Sequence, residues 1–333
     1  MNMFKKTPIW FMRQAGRYLP EYREIRKKEK NFLDLCFSPN LAADISIQPI
    51  RRFDFDFIIL FCDILVIPYA LDQDVQFKKD HGPQLNPIYS KKDINYKNLN
   101  GNLKKLSAVF DTVSILKHKK KEKKLIGFCG GPFTVMNYMI EGGTSKNHLK
   151  IKNFVEKEKK NALDLIKIVT ELSIEYLKKQ IDNGVDYVQI FESWAGLLEE
   201  SEYERFIIEP NKEISRKIRE YSPKTKIIHF PRGSKEKYVK FLTNVYCDVI
   251  SIDNNYPQEL IPITKEKKII IQGNLNPIDL MNGGENLVNK TKEILEKFKE
   301  NDHIFNLSHG VLPGTPIDNV KKVKITVDEN ERT

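Results

Sequence analysis

Residues 161–193 read NALDLIKIVTELSIEYLKKQIDNGVDYVQIFES. The first two thirds carry apolar side chains at Leu165, Val169, Leu172, Tyr176 and Leu177, the three-and-four spacing of one helix face. Asn183-Gly184 stops that pattern, as glycine does where a helix ends in a left-handed turn. DYVQIFES, residues 186–193, then has the β-branched and aromatic centre of a strand. A helix feeding a strand is the repeating unit of a parallel sheet, because parallel neighbours need a long crossover between them.

Seven more runs of this kind lie along the chain: TPIWFMRQ (7–14), DFDFIILFCDI (54–64), KLIGFCGG (124–131), TKIIHFPR (225–232), DVISID (248–253), KIIIQGN (268–274) and HIFNLSHG (303–310). Nearly every one ends in polar residues or glycine. Between them the sequence is helical in character. Residues 199–221 and 284–300 are amphipathic, and Ser38-Pro39 opens another helix as an N-cap followed by proline. Eight such strands, each followed by helical sequence, predict a closed (β/α)8 TIM barrel rather than an open doubly wound sheet. With no internal repeat and no linker rich in Pro, Gly or Ser, residues 1–333 read as a single domain.

Composition removes several classes. Hydrophobic residues at 40% and charged residues at 30% suit a globular protein, and no apolar run reaches the roughly 18 residues of a membrane span. MNMFKKTPIW lacks the apolar core of a secretory signal. Cys36, Cys62, Cys129 and Cys247 are scattered without CxxC spacing, which points to reduced thiols in a cytoplasmic setting. Cys62 and Cys129, inside apolar runs, read as small buried residues. The net charge of +10 is mostly lysine, and it describes either a solvated surface or one that steers an anionic partner. KHKKKEKK (117–124) lacks the interleaved aromatics of a nucleic-acid surface and reads as a solvated helix end and loop. GFCGGPF contains neither GxGxxG nor a P-loop, and the chain has no GxSxG, HxxxH or HxC pattern.

In a barrel the strand ends are where chemistry gathers. Arg13, Gln14 and Arg17 follow the first run, and Asp63 interrupts the second. Tyr138 follows the third, Ser193 ends the fourth, and His309 ends the eighth. Arginine occurs only eleven times, yet four (Arg13, Arg17, Arg23, Arg26) lie within fourteen residues. Such a cluster suggests bidentate recognition of carboxylate or phosphate. Gly16, between two of them, would let backbone approach a ligand. Asp63 in an apolar run needs N–H donors or a cation, supplied either by the protein or by a ligand. His309 beside Gly310 reads equally as a structural or a functional residue. The set as a whole suits a polyanion that also carries N–H donors.

PIWFMRQAGRYLPEYREIR (8–26) and GFCGGPFTVMNYMIEGG (127–143) resemble the two signature segments of the uroporphyrinogen decarboxylase family. The likeness continues through RRFDFDFIILFCDILVIPYAL (51–71), GVDYVQIFESWAG (184–196), HFPRGS (229–234), QGNLNP (272–277) and IFNLSHGVLPGTP (304–316). It implies a (β/α)8 barrel acting as a cytoplasmic homodimer in haem and tetrapyrrole biosynthesis. The implied reaction converts the four acetate side chains of uroporphyrinogen III to methyls, giving coproporphyrinogen III and four CO2. It implies no metal and no organic cofactor, and no nucleic-acid or membrane partner. The resemblance carries substrate-binding roles onto Arg13, Gln14, Ala15, Gly16, Arg17, Asp63, Tyr138, Ser193 and His309, and extends more loosely to Arg26 and Phe191. Asp63 and Arg13 are the expected catalytic residues. Two other readings stay open: a zinc-dependent corrinoid or thiol methyltransferase on the same barrel, and a tetrapyrrole-binding protein without catalysis. His229 and Cys247 lack the spacing of zinc ligands in the first of these. The sequence also departs from the family pattern. Asp72 and Ser308 stand where glycine is usual, ISIDNNYPQEL (251–261) lacks a tryptophan after its aspartate, and VKITVDENERT lacks the usual closing helix sequence.

Overall fold

The computed structural model describes residues 4, 6–29, 31–78, 82–96 and 99–330. Among those described residues the strands are β1 (Phe57–Ile59), β2 (Val75–Lys78), β3 (Gly82–Leu85), β4 (Lys124–Gly130), β5 (Tyr187–Glu192), β6 (Lys226–Pro231), β7 (Val249–Ser251), β8 (Ile270–Leu275) and β9 (His303–Leu307). Seven form one parallel sheet in the order β1-β4-β5-β6-β7-β8-β9, each step crossing through helices. β4, β6 and β9 are buried almost throughout, as strands covered on both faces must be.

The sheet curls until its edges meet across residues 8–10. Ile9 bridges Phe305 in parallel, Trp10 N–H donates to Phe305 O at 3.2 Å, and Phe305 N–H donates to Pro8 O at 2.8 Å. On the other side Asp56 N–H donates to Ile9 O at 3.0 Å. Residues 8–10 therefore occupy the eighth place in the ring. Inside it, Trp10 Nε1 donates to Gln272 at 3.0 Å, and Gln272 Nε2 donates to Ser251 at 3.1 Å. These bonds join the segment before β1 to β8 and β7, so part of the barrel's filling is polar and internally paired.

The long helix spans Lys159–Asn183 and ends at Gly184, φ +110°, whose N–H bonds Gln180 O and Ile181 O. Its Gln180 side chain reaches β4, accepting from Phe128 N–H and donating to Phe128 O. The sequence reading holds here in both end and buried face. The helix expected at 199–221 starts at Glu200 and takes a wide π turn over Glu204–Ile208 before continuing from Glu209 to Tyr221. Pro210 has no N–H to offer that turn, which accounts for the widening. The helix read over 284–300 covers Gly284–Lys297.

Several expectations need correction. Ser38 does precede the Pro39–Phe53 helix, but its hydroxyl donates back to Asp34 O at 2.7 Å instead of capping. The run 54–64 supplies only three residues of strand, so Cys62 and Asp63 lie in the loop beyond β1 and not within it. β2 and β3 form an antiparallel hairpin that the alternation of strands and helices did not foretell. It props the end of the Pro132–Glu141 helix, with Leu85 N–H on Gly142 O at 3.0 Å. The tail closes in a helix after all, Ile317–Glu329, burying Val320, Val323 and Val327. Asp72 sits at φ +64°, which explains glycine as the usual choice there. Its carboxylate accepts from Asn95 Nδ2 at 2.6 Å and pairs with Lys105, local bonds of the kind that let aspartate occupy that region. Among the described residues no helix is long and apolar enough to cross a membrane.

Candidate active site

All eight places in the ring send their carboxyl-terminal ends to one mouth. Beyond residues 8–10 the chain turns sharply, with Arg13 at φ +60°, a conformation that costs an ordinary residue about 1 kcal/mol or more. The turn is tethered to the far end of the sequence: Met12 N–H donates to Asn306 Oδ1 at 3.0 Å and Val311 N–H to Met12 O at 2.9 Å. The Arg13 side chain lies so close over Gly310 that a Cβ there would come within 2.3 Å of its Cδ. Glycine at 310 is thus what lets the guanidinium lie where it does.

Asp63 is half-buried, and the only hydrogen-bond donor to its carboxylate among the described residues is Leu65 N–H, at 2.8 Å. Desolvation pushes its carboxyl up to about 6, against the pull of the Leu65 bond and the Arg13 guanidinium. Tyr138, on the Pro132–Glu141 helix, is raised by burial and by the Asp63 charge. Half-buried His309 is lowered to about 4, first by burial and then by Arg13 and Arg232. Arg13, Asp63, Tyr138 and His309 therefore form one electrostatic cluster. Through His309 it adjoins a cavity of about 450 Å³, whose lining includes Ser193, Trp194, Arg232, Asp253 and Ser308.

The other expected residues divide. Ser193 reaches the cavity, and Phe191 two positions earlier packs edge-on against Phe128 at 5.6 Å. Gln14 is fully buried, accepting from Phe11 N–H and donating to Phe57 O at 2.9 Å, so its amide braces the loop instead of facing a ligand. Ala15 and Gly16 are half-buried in the same turn. A Cβ on Gly16 would press on Arg13 O at 3.1 Å, so this glycine serves the turn itself. Arg17 is exposed and Arg26 is bonded to Glu29 O at the end of its own helix. Neither perturbs Asp63, Tyr138 or His309 as Arg13 does.

Sequence reasoning overlooked the ends of β6 and β7, where Arg232 and Asp253 stand, although the same strand-end rule applied to both. It also overlooked Glu192. That carboxylate is buried and accepts from Phe133 N–H at 3.0 Å, Thr134 N–H at 2.9 Å and Thr134 Oγ1 at 2.7 Å. Burial raises it to about 7 in spite of those bonds. Among the described residues no three His, Cys, Asp or Glu side chains gather as a metal site, and His229 is bonded to Ser215.

The family model for uroporphyrinogen decarboxylase (URO-D) matches residues 2–329. The chain is 44% identical over 324 residues to the uroporphyrinogen decarboxylase of Rickettsia massiliae (strain Mtu5), covering 95% of this chain and 91% of that one. It is 43% identical over 331 residues to the protein of that name from Rickettsia bellii (strain RML369-C), covering 98% and 96%. Among solved structures a methyltransferase from Methanosarcina mazei superposes with a TM-score of 0.75 at 17% identity, covering 98% of this chain and 94% of its own. A B12-independent methionine synthase from Shewanella sp. W3-18-1 gives 0.56 at 12% identity, covering 89% and 88%. At those identities the two structures speak for the fold alone.

Proposed function

The chain belongs to the uroporphyrinogen decarboxylase family, and from that premise we propose how its barrel mouth performs the reaction. The protein is a carboxy-lyase of porphyrin biosynthesis that decarboxylates the four acetate arms of uroporphyrinogen III to methyls, yielding coproporphyrinogen III. The observation that carries the site assignment is Asp63, a half-buried, desolvated carboxylate with a single donor among the described residues and an arginine beside it. A porphyrinogen is flexible at its methylene bridges and can dome so that its four pyrrole N–H groups converge. Those donors are what Asp63 lacks.

Loss of CO2 from an acetate needs an electron sink. Protonation of the ring carbon next to nitrogen makes the pyrrole itself that sink, which is why the chemistry calls for neither a metal nor an organic cofactor. The C–COO bond then breaks, its electron pair forms an exocyclic methylene, and the ring cation is neutralised. A second proton on the methylene carbon gives the methyl and restores a cation, and loss of the proton first added to the ring regenerates the pyrrole. The balance is one proton consumed and one CO2 released per acetate. Asp63 stabilises the cation electrostatically and fixes the macrocycle's orientation. Arg13 supplies positive charge to the substrate's carboxylates beside the reacting ring, with Arg17 at the rim of the same loop. His309, neutral at pH 7 in the empty site, becomes protonatable once substrate carboxylates offset Arg13 and Arg232.

The whole chain, 1–333, acts as one barrel unit. Its working form is a homodimer on the family's pattern. The cytoplasm is its compartment, in keeping with four free cysteines. Its excess of basic groups assists encounter with an octacarboxylate and serves no nucleic acid. The test is anaerobic incubation with uroporphyrinogen III, oxidation, and separation of products by carboxylate number. Stepwise seven-, six-, five- and four-carboxylate species are expected without added cofactor; binding with no turnover would overturn the reading.

A further inference from the structure

The catalytic cluster leaves the far side of the mouth without a role. There, at the end of β6, Arg232 lines the cavity four places round the ring from residues 8–10. Its backbone is fixed on both sides: Arg232 N–H donates to Glu192 O at 3.1 Å, and Arg232 O accepts from Gly196 N–H at 3.1 Å. The next residue, Gly233, donates its N–H to Asp253 Oδ2 at 2.6 Å, and the other Asp253 oxygen takes Asn255 N–H at 2.8 Å. The nearby carboxylate is thereby spent on backbone. The Arg232 guanidinium has no hydrogen bond or ion pair among the described residues. Its field nevertheless reaches His309, which feels Arg13 as well. An unpaired cation on a rigid turn at a cavity wall is preorganised for a planar anion.

We propose that Arg232 is a second carboxylate clamp, facing Arg13 across the barrel mouth, and that it grips a propionate arm of the macrocycle. The proposal rests on the reading of the protein as a uroporphyrinogen decarboxylase. Which arm it takes follows from charge flow. As CO2 leaves, negative charge drains from the acetate carboxylate, so a guanidinium bonded there stabilises the ground state more than the transition state and slows the step. A propionate keeps its charge through all four rounds. Holding it orients the ring for each acetate in turn without opposing any.

Arg232→Gln and Arg232→Lys, compared with wild type under anaerobic conditions, test this. Arg232→Gln should raise KM about 10- to 100-fold, equally for uroporphyrinogen III and for the five-carboxylate intermediate. Its kcat should change less than about threefold. Its affinity for coproporphyrinogen III, whose only carboxylates are propionates, should fall by the same factor. Arg232→Lys should recover part of each loss, and the thermal midpoint should stay at the wild-type value. Undiminished binding of coproporphyrinogen III by Arg232→Gln would overturn the proposal. So would a KM effect that fades as acetates are lost, or a lysine variant no better than glutamine. Failure of the underlying reading looks different: wild type itself would leave uroporphyrinogen III unchanged, while the coproporphyrinogen III comparison would still report on Arg232.

Discussion

The loop beyond β1 and the end of β5 each hold a carboxylate that desolvation shifts upward, half-buried Asp63 and fully buried Glu192, and they treat it in opposite ways. Glu192 accepts three strong hydrogen bonds and a longer fourth from Asn211 Nδ2 at 3.4 Å. Those bonds pin β5 to the start of the Pro132–Glu141 helix, and so fix where Tyr138 emerges. Asp63 accepts one. A buried carboxylate whose lone pairs are filled is an architectural joint, whereas one left open has capacity for a ligand. Both carboxyls titrate upward for the same reason, desolvation, so titration alone does not separate them; the inventory of donors does.

The sharpest way to break this contrast is Asp63→Asn. Turnover should fall at least about 100-fold, as when an electrostatic stabiliser of a transition state is removed. Stability should move the other way. The folded pKa of Asp63, about 6, lies above the ordinary 3.8, so its anion costs folding energy above about pH 6 and costs nothing below about pH 4. The variant should therefore melt higher than wild type at pH 8 and no higher at pH 4, by scanning calorimetry at both. Near-normal rates would remove Asp63 from the centre of the site. Next in size, Glu192→Ala leaves two backbone N–H groups and a hydroxyl unsatisfied. It should lose about 2–4 kcal/mol in urea denaturation, and kcat at a temperature where it is folded should drop less than for Asp63→Asn. A Glu192 variant that keeps its stability but loses turnover would invert the comparison. The smallest effect is on pH dependence: wild-type kcat/KM should fall about tenfold per unit on the acid side of pH 6, where Asp63 takes up a proton. A limb near pH 4 would implicate His309 instead.

The same two regions mark what a reader of the sequence can and cannot see. Buried parallel strands are apolar along their whole length, so β4, β5, β6 and β9 fall inside their runs to within a few residues. An apolar run records burial, though, and not ladder bonding. In 54–64, Leu60 and Phe61 are buried in a loop, and only Phe57–Ile59 is strand. The β2–β3 hairpin has only four residues a strand and interleaves its apolar Val75, Phe77 and Leu85 with polar residues, so it left no continuous apolar run. At the mouth, position after a strand singled out Arg13, Asp63, Tyr138, Ser193 and His309, which the fold brings to one end of the barrel. Glu192 gave the same signal as Asp63, an acid in an apolar stretch. Their difference lies in donors brought from a helix some sixty residues away, which no local pattern encodes. The pairing of the Gln14 amide was illegible for a similar reason, because its partners are backbone groups of a neighbouring strand and its own turn.

The seam formed by residues 8–10 imposes an order of events on synthesis. Arg13's loop leaves the ribosome long before its anchors, Phe305, Asn306 and Val311. A nascent chain can stack most of its helices and strands while the Arg13 turn stays untethered, since a long loop must close first. The turn that carries Arg13 therefore gains its tethers only once Phe305, Asn306 and Val311 have been made, and a product terminated before them would lack that seam however much of the rest of the barrel it had built.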